Sequence, residues 1–288
     1  MMHAALSAAV AVIPGGVYQL GSDDHYREEA PVRSVRVNAF GLETHPVTNA
    51  DFARFVAATG WITACERLTP AGSAVFVMTD GPVDLHRPDA WWRFVEGACW
   101  RRPLGPGSDL EGLTDHPVVH VALEDARAYA AWAGRRLPTE AEWEVAARGG
   151  LTGQPYAWGA DFIPDGQAMA HVWNGAFPWW SQGLQAPAPC AVGRYPANGY
   201  GLYDMIGNVW EWTEDRFERA TERSGCGCST AAASSDLHTL KGGSFLCSPD
   251  YCARYRPAAR IGLSPETSSQ HIGFRCAVDL PPTAEALS

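Results

Sequence analysis

Short apolar stripes separated by polar stretches rich in glycine and proline dominate this chain, and helical spacing is confined to three windows. Residues 10–45 alternate with period two in VIPGGVYQLGS and VRSVRVNAFGLETHPV, on either side of the acidic loop DDHYREEAP, and predict strands. A helix is predicted after Thr48, which precedes Asp51 by three, a capping-box spacing. Phe52, Phe55 and Val56 fall on one face, and Gly60 ends it. LEDARAYAAWAG predicts a second helix over 123–134, closed by Gly134. RLPTEAEWEVAARGG predicts a third, with Thr139 as N-cap, Glu142 as its box partner and Gly149-Gly150 as the stop. Residues 60–117 set Trp61, Trp91, Trp92 and Trp100 among prolines and glycines and predict an irregular, ordered excursion. Beyond Gly150 short strands and turns run through NGYGLYDMIGNVWEWTED and LKGGSFL to HIGFRCAVD. We expect one domain over 10–280, an N-terminal extension over 1–9 and a frayed tail over 281–288, with no internal repeat and no dividing linker.

The N-terminal run AALSAAVAVIP is apolar but short, follows no positive charge and leads into VYQLGS. It predicts a first strand rather than a signal peptide. No apolar stretch approaches the length of a membrane span, so the expected location is the cytoplasm. With 46% hydrophobic and 19% charged residues among 288, the chain buries a sizeable core without disulfide staples. Twelve tryptophans with 29 glycines and 21 prolines add that the fold is loop-rich and pinned by aromatic rings. The formal charge of −10 and the lack of a basic run exclude an obvious nucleic-acid binder.

Candidate chemistry is concentrated in KGGSFLCSPDYCARYR. Cys247 and Cys252 are five apart, an offset that keeps their sulfurs apart on a strand or a helix. The intervening Ser-Pro-Asp-Tyr is turn chemistry: Pro249 presets φ and Asp250 can bond its own backbone, which would fold the thiols together. Converging thiols leave three readings, a disulfide, a redox pair or a soft-metal site. For the metal reading, a lone pair suits two-coordinate Cu(I) better than four-coordinate zinc. The other six cysteines form no CxxC pair, and Cys226-Gly-Cys228 lies in a small-residue loop without a clear partner. Asp204 and Glu211, seven apart in a glycine-rich segment, are hard oxygen donors among exposed carbonyls, a calcium-loop chemistry or a solvated acidic loop. The scattered histidines form no HExxH, and no P-loop, GxGxxG or GxSxG elbow is present.

Taken together, HPVVHVALEDARAYAAWAGRRLPTEAEWEVAARGG, NGYGLYDMIGNVWEWTED, LKGGSFLCSPDYCARYRPAAR, HIGFRCA and the early IPGGVYQLGS…EEAPVRSVRV…HPVTNADFARFVAATG resemble the formylglycine-generating enzyme, or sulfatase-modifying factor, family. The resemblance covers about residues 10–280. It implies an α+β, loop-rich, elaborated C-type-lectin-like fold with little regular secondary structure. It implies an oxidase that uses O2 to convert the cysteine of a Cys-X-Pro-X-Arg motif, in an unfolded or nascent sulfatase segment, to Cα-formylglycine. Cys247 and Cys252 would bind Cu(I), and Trp210, Ser244 and Tyr251 would bound the oxygen-side pocket. A structural calcium would be held by Asp204, Gly207, Val209 and Glu211. A second family calcium site reads His171-Val172-Trp173-Asn174-Gly175 here, with Leu184 and Gln185 where an acidic ligand is expected, and is not assigned. Positions that pair as disulfides in secreted members are Ala130, Ala147 and Pro257, and Cys276 lacks its family partner, which implies a reducing compartment. A monomer is expected. Trp91, Trp92 and Trp100 are candidates for the wall of the peptide groove. The competing readings are a non-catalytic peptide-binding module of the same fold, or a different thiol or metal oxidase on this scaffold.

Overall fold

The computed structural model describes residues 8–182, 187–218 and 236–281. The three helices form where the spacing places them. Helix α1 spans Asn49–Thr59: Thr48 accepts the Asp51 N–H as N-cap, and Gly60 closes the helix at φ 70°, where a side chain is disfavoured. Helix α2 is Leu123–Trp132. Helix α3 is Glu140–Ala147, with Thr139 and Glu142 completing the reciprocal capping box.

Strands β1 (Val10–Ile13), β2 (Gly16–Leu20), β3 (Arg33–Val37) and β4 (Phe40–Glu43) occupy the alternating N-terminal region. β2 pairs with β3 across the acidic loop, while β1 and the late strand β11 (Ala277–Asp279) flank β4, all antiparallel. The chain's two ends thereby share one sheet. Sequence periodicity missed β5 (Gly72–Phe76) and β6 (Trp92–Glu96), which pair antiparallel inside the stretch expected to be irregular. Fifteen residues separate them, too many for a hairpin signal, and the apolar side chains of β6 alternate only weakly. The sheet that carries the site has the order β10-β7-β8-β9, from Ile272–Gly273, Trp210–Arg216, His238–Lys241 and Arg260–Leu263. Only the β10–β7 pair in it is parallel.

Aromatic rings fill the core. Trp91, Trp143, Trp173 and Trp212 are almost fully buried. Each such ring removes 150–250 Å² from water, a gross gain of about 4–6 kcal/mol at about 25 cal/mol per Å². One cluster joins α1 and α2 to the site sheet through Phe52, Phe55, Tyr129, Phe274 and Trp212, and includes Cys247. A second packs α3 against the N-terminal strands around Trp143 and Phe40. A third gathers Phe76, Trp91, Trp173, Phe177, Phe245 and Leu246. Some polar groups buried with them are paired, while the indole N–H groups of Trp100 and Trp173 have no hydrogen-bond partner among the described residues. Lys241, the chain's single lysine, is fully buried and donates to Glu144 at 3.1 Å and to the Ala258 carbonyl at 3.3 Å. Among the described residues no helix is long and apolar enough to cross a membrane.

Candidate functional site

Strand β8 ends at Lys241 and delivers the chain to the dithiol through two glycines. Gly242 and Gly243 have φ of 94° and 78°, the left-handed region open to glycine. A Cβ on Gly243 would stand 2.7 Å from the Arg254 carbonyl and 3.3 Å from Cys247 Sγ. The backbone therefore passes close enough to the outgoing segment to set the first thiol against it. Cys247 then closes a turn by donating its N–H to the Ser244 carbonyl at 2.9 Å, and its own carbonyl accepts the Trp173 N–H at 3.0 Å.

The Ser-Pro-Asp-Tyr turn forms as expected, with one difference. Ser248, not Asp250, supplies the side chain: its Oγ accepts the Asp250 N–H at 3.2 Å, and its carbonyl accepts the N–H groups of Tyr251 and Cys252. This return brings Cys247 Sγ and Cys252 Sγ to 3.5 Å, as two free thiols. Cys247 is buried, while Cys252 is partly exposed, so the pair has an inner and an outer member. The Ser244 N–H points at Cys247 Sγ from 3.4 Å. The Arg254 guanidinium approaches Cys252 Sγ to 3.9 Å. The S–H donated by Cys247, helped by the charge of Arg254, outweighs burial and brings the Cys252 thiol down to about 6. Burial pushes Cys247 the other way, well above the ordinary thiol range.

The structure draws most of the expected site residues together. Ser244 is fully buried beside the inner thiol. Trp210 begins β7 and lies in the same core cluster as Cys247. Tyr251 is 37% exposed and stacks on Phe177 at 4.7 Å, with Trp91 edge-on at 5.1 Å. Two of the three proposed groove tryptophans are core residues instead: Trp91 and Trp100 are almost fully buried. Trp92 is partly exposed and packs on Phe76 and His271. A cleft of about 560 Å³ opens along the thiol turn, walled by Pro249, Asp250, Trp173, Tyr195, Arg194 and Phe162.

Of the four expected calcium ligands, Asp204, Gly207 and Val209 lie in a tightly wound turn in which Asp204, Gly207 and Asn208 have φ of 54°, 77° and 59°, and Glu211 follows in β7. Asp204 is buried and accepts the Gly193 N–H at 2.7 Å. Glu211 is fully buried; Arg275 donates to both of its oxygens, at 2.7 and 2.8 Å, and the Trp143 indole adds a third bond at 2.8 Å. Burial, followed by the like charge of Glu211, pushes the Asp204 carboxyl up despite Arg275. Arg275 pairs directly with Glu211 and not with Asp204, so the buried Asp204 carboxyl is left without an ion-pair partner among the described residues, and its oxygens suit a hard cation. At the unassigned second site, His171 Nε2 lies 2.9 Å from the Ala188 carbonyl. Leu184, Gln185, Cys226 and Cys228 lie outside the described residues.

Sequence reasoning missed Tyr26, Glu28 and Arg254. Arg254 is separated from Cys252 by one residue and so was findable from spacing. Tyr26 and Glu28 reach it from more than 220 positions away, across contacts that no local pattern encodes.

A loop-rich α+β fold with few helices and several small sheets defines the class, an elaborated C-type-lectin-like protein. Solved structures agree on the fold: PvdO from Pseudomonas aeruginosa superposes with a TM-score of 0.64 at 24% identity, covering 94% of each chain. CarF gives 0.57 at 20% identity, covering 96% of this chain and 100% of that one. The profile of the sulfatase-modifying factor enzyme 1-like domain matches residues 3–280. A formylglycine-generating enzyme of Mycobacterium tuberculosis is 52% identical over 289 aligned positions, covering 93% of this chain and 96% of that protein. One from Thermomonospora curvata is 45% identical over 294 positions, covering 95% and 94%. The chain belongs to the formylglycine-generating enzyme family. A bovine relative named as an inactive Cα-formylglycine-generating enzyme 2 is 41% identical over 281 positions, covering 92% of this chain and 86% of that protein. Similarity at this level therefore does not by itself separate active from inactive chains.

Proposed function

We propose that this protein oxidises the cysteine of a Cys-X-Pro-X-Arg segment in a nascent sulfatase to Cα-formylglycine, with O2 as oxidant and Cu(I) held by Cys247 and Cys252. The observation that carries the reading is the pair of unbonded sulfurs 3.5 Å apart, one buried and one reachable from the surface. Two converging soft donors suit a monovalent soft ion, and no cluster of three or more His, Cys, Asp or Glu side chains among the described residues competes for it. Copper bound there would supply the one-electron and O2 chemistry that side chains lack.

The chain's own groups prepare the site. The Ser244 N–H stabilises negative charge on the inner sulfur, and Arg254 does so on the outer one. Tyr251, exposed next to the outer thiol in sequence, is held rigid by stacking on the buried Phe177 with the buried Trp91 edge-on behind it, and so fixes the approach of a bound segment. The cleft along Pro249 and Asp250 has room for an extended peptide, the form in which a sulfatase segment would meet a thiol set in the protein surface. In this reading a structural calcium is held by Asp204, the carbonyls of Gly207 and Val209, and Glu211. The enzyme works as a monomer in the cytoplasm, a reducing setting in which the six free cysteines among the described residues stay as thiols.

The test is incubation of the reduced protein with Cu(I), O2, a thiol reductant and a Cys-X-Pro-X-Arg peptide, followed by mass spectrometry. The expected result is loss of the thiol mass in favour of the aldehyde. A peptide left unmodified refutes the activity. Cys247→Ser and Cys252→Ser are each expected to abolish turnover, and a variant that remains active removes the two-thiolate site.

A further inference from the structure

The acidic loop between β2 and β3 packs against the thiol segment instead of standing in solvent. Tyr26 Oη accepts the Ala253 N–H at 3.2 Å. The Arg254 guanidinium lies over the Tyr26 ring, 3.8 Å from its centroid. Its Nε and Nη2 donate to Glu28 Oε1 at 3.0 and 2.6 Å, and its Nη1 faces Cys252 Sγ at 3.9 Å. Arg256, buried two residues on, pairs with Glu29 and approaches the same ring at 5.7 Å. Arg254 is thus held on three sides, by a ring face, a carboxylate and a sulfur.

The arrangement uses the fork of a guanidinium. One edge of the plane is taken by Glu28 and the other is left for sulfur, a division that a lysine ammonium cannot reproduce. Two thiolates around a monovalent ion carry one net negative charge, and a third thiolate from a substrate cysteine adds another. Among the described residues, Arg254 supplies the cationic contact to the pair.

We infer that Arg254 is the positioning countercharge of the Cys247–Cys252 dithiolate, and that Tyr26 and Glu28 of the N-terminal loop hold its guanidinium against Cys252. The inference rests on the copper reading above and adds a role for a segment distant in sequence from the thiols. Groups that hold and neutralise a metal's ligands typically change affinity by about 10–100-fold when removed.

The experiment is anaerobic titration of reduced wild type, Arg254→Met, Arg254→Lys and Glu28→Gln with Cu(I) against a chromophoric Cu(I) chelator, with the melting temperature of each recorded. Arg254→Met is expected to bind Cu(I) about 10–100-fold more weakly than wild type. Arg254→Lys, which keeps the charge without the fork, should fall between the two. Glu28→Gln, at a partly exposed position, should lose a few-fold in affinity at a nearly unchanged melting temperature. A purely structural role would move the melting temperature and leave the affinity alone. Folded Arg254→Met with wild-type affinity overturns the countercharge. If Arg254→Met does not fold, wild-type affinity in both Arg254→Lys and Glu28→Gln overturns it. A wild-type protein that binds no Cu(I) removes the copper reading and this inference together, whereas wild-type binding with unaffected variants removes this inference alone.

Discussion

Lys241 and Glu144 provide a test in which geometry decides the order of two destabilisations. The Lys241 ammonium is fully buried, 3.1 Å from Glu144 Oε2 and 3.8 Å from Glu140 Oε1. Glu144 has other partners. Its Oε1 accepts from Arg148 Nη2 at 2.6 Å and from the Gly21 N–H at 2.7 Å. Burial would push the Glu144 carboxyl up, but Lys241, Arg148 and the Gly21 N–H together hold it below the usual carboxylate range. Glu140 likewise keeps Arg260 at 3.2 Å. Lys241→Met therefore removes a buried cation without orphaning a carboxylate, and methionine refills the space of the stem, so it should cost about 1–2 kcal/mol. Glu144→Gln leaves the buried ammonium with a distant carboxylate and one carbonyl, and leaves Arg148 with the Gly21 carbonyl but without its carboxylate. That resembles breaking a buried pair from one side, about 3–5 kcal/mol. Urea unfolding followed by tryptophan fluorescence reads both. Glu144→Gln should be less stable than Lys241→Met by about 2 kcal/mol, and the double variant should recover part of the loss because the stranded ammonium is gone. If Lys241→Met costs as much as Glu144→Gln, or the two losses simply add, the asymmetry argued here is wrong.

Further outcomes follow from the same contacts. Gly243→Ala places a methyl group 2.7 Å from the Arg254 carbonyl at a left-handed φ, so it should cost about 1–3 kcal/mol and weaken Cu(I) binding; unchanged chelator competition and thermal melting would contradict this. His120 and His271 are buried neutral, with burial lowering them to about 4 and about 3 from an unfolded value near 6.5. The native state then binds fewer protons than the unfolded chain below pH 6.5. Stability should be full above that pH and fall by up to about 1.4 kcal/mol per unit for each histidine as pH drops toward 4, and a flat urea midpoint between pH 7.5 and 5 would contradict it. Calcium at about 100 times its dissociation constant should add about 2.7 kcal/mol to the wild type but little to Asp204→Asn; equal shifts in the two melting curves would remove the ligand assignment.

Local physics made much of this protein legible from its residues. The caps at Thr48 and Thr139, the stops at Gly60 and Gly149-Gly150, and the turn through Pro249 all depend on groups within four residues of one another, and each forms where the spacing predicts. The thiol pair was readable for the same reason, since a turn of four residues sets the distance between Cys247 and Cys252. The order of the whole set of motifs carried the family. The β5–β6 pair was not legible, because its register is decided by partners on either side of a long connection rather than by alternation within a strand. Which tryptophans face a groove and which fill the core was also decided by packing: Trp91 and Trp100 look like Trp92 in sequence, yet only Trp92 is partly exposed. Tertiary structure alone placed Tyr26 and Glu28 beside Arg254, and Arg275 against Glu211, because a charge buried in a low-dielectric interior takes whatever counterion the fold brings within a few ångströms, however far away it lies along the chain.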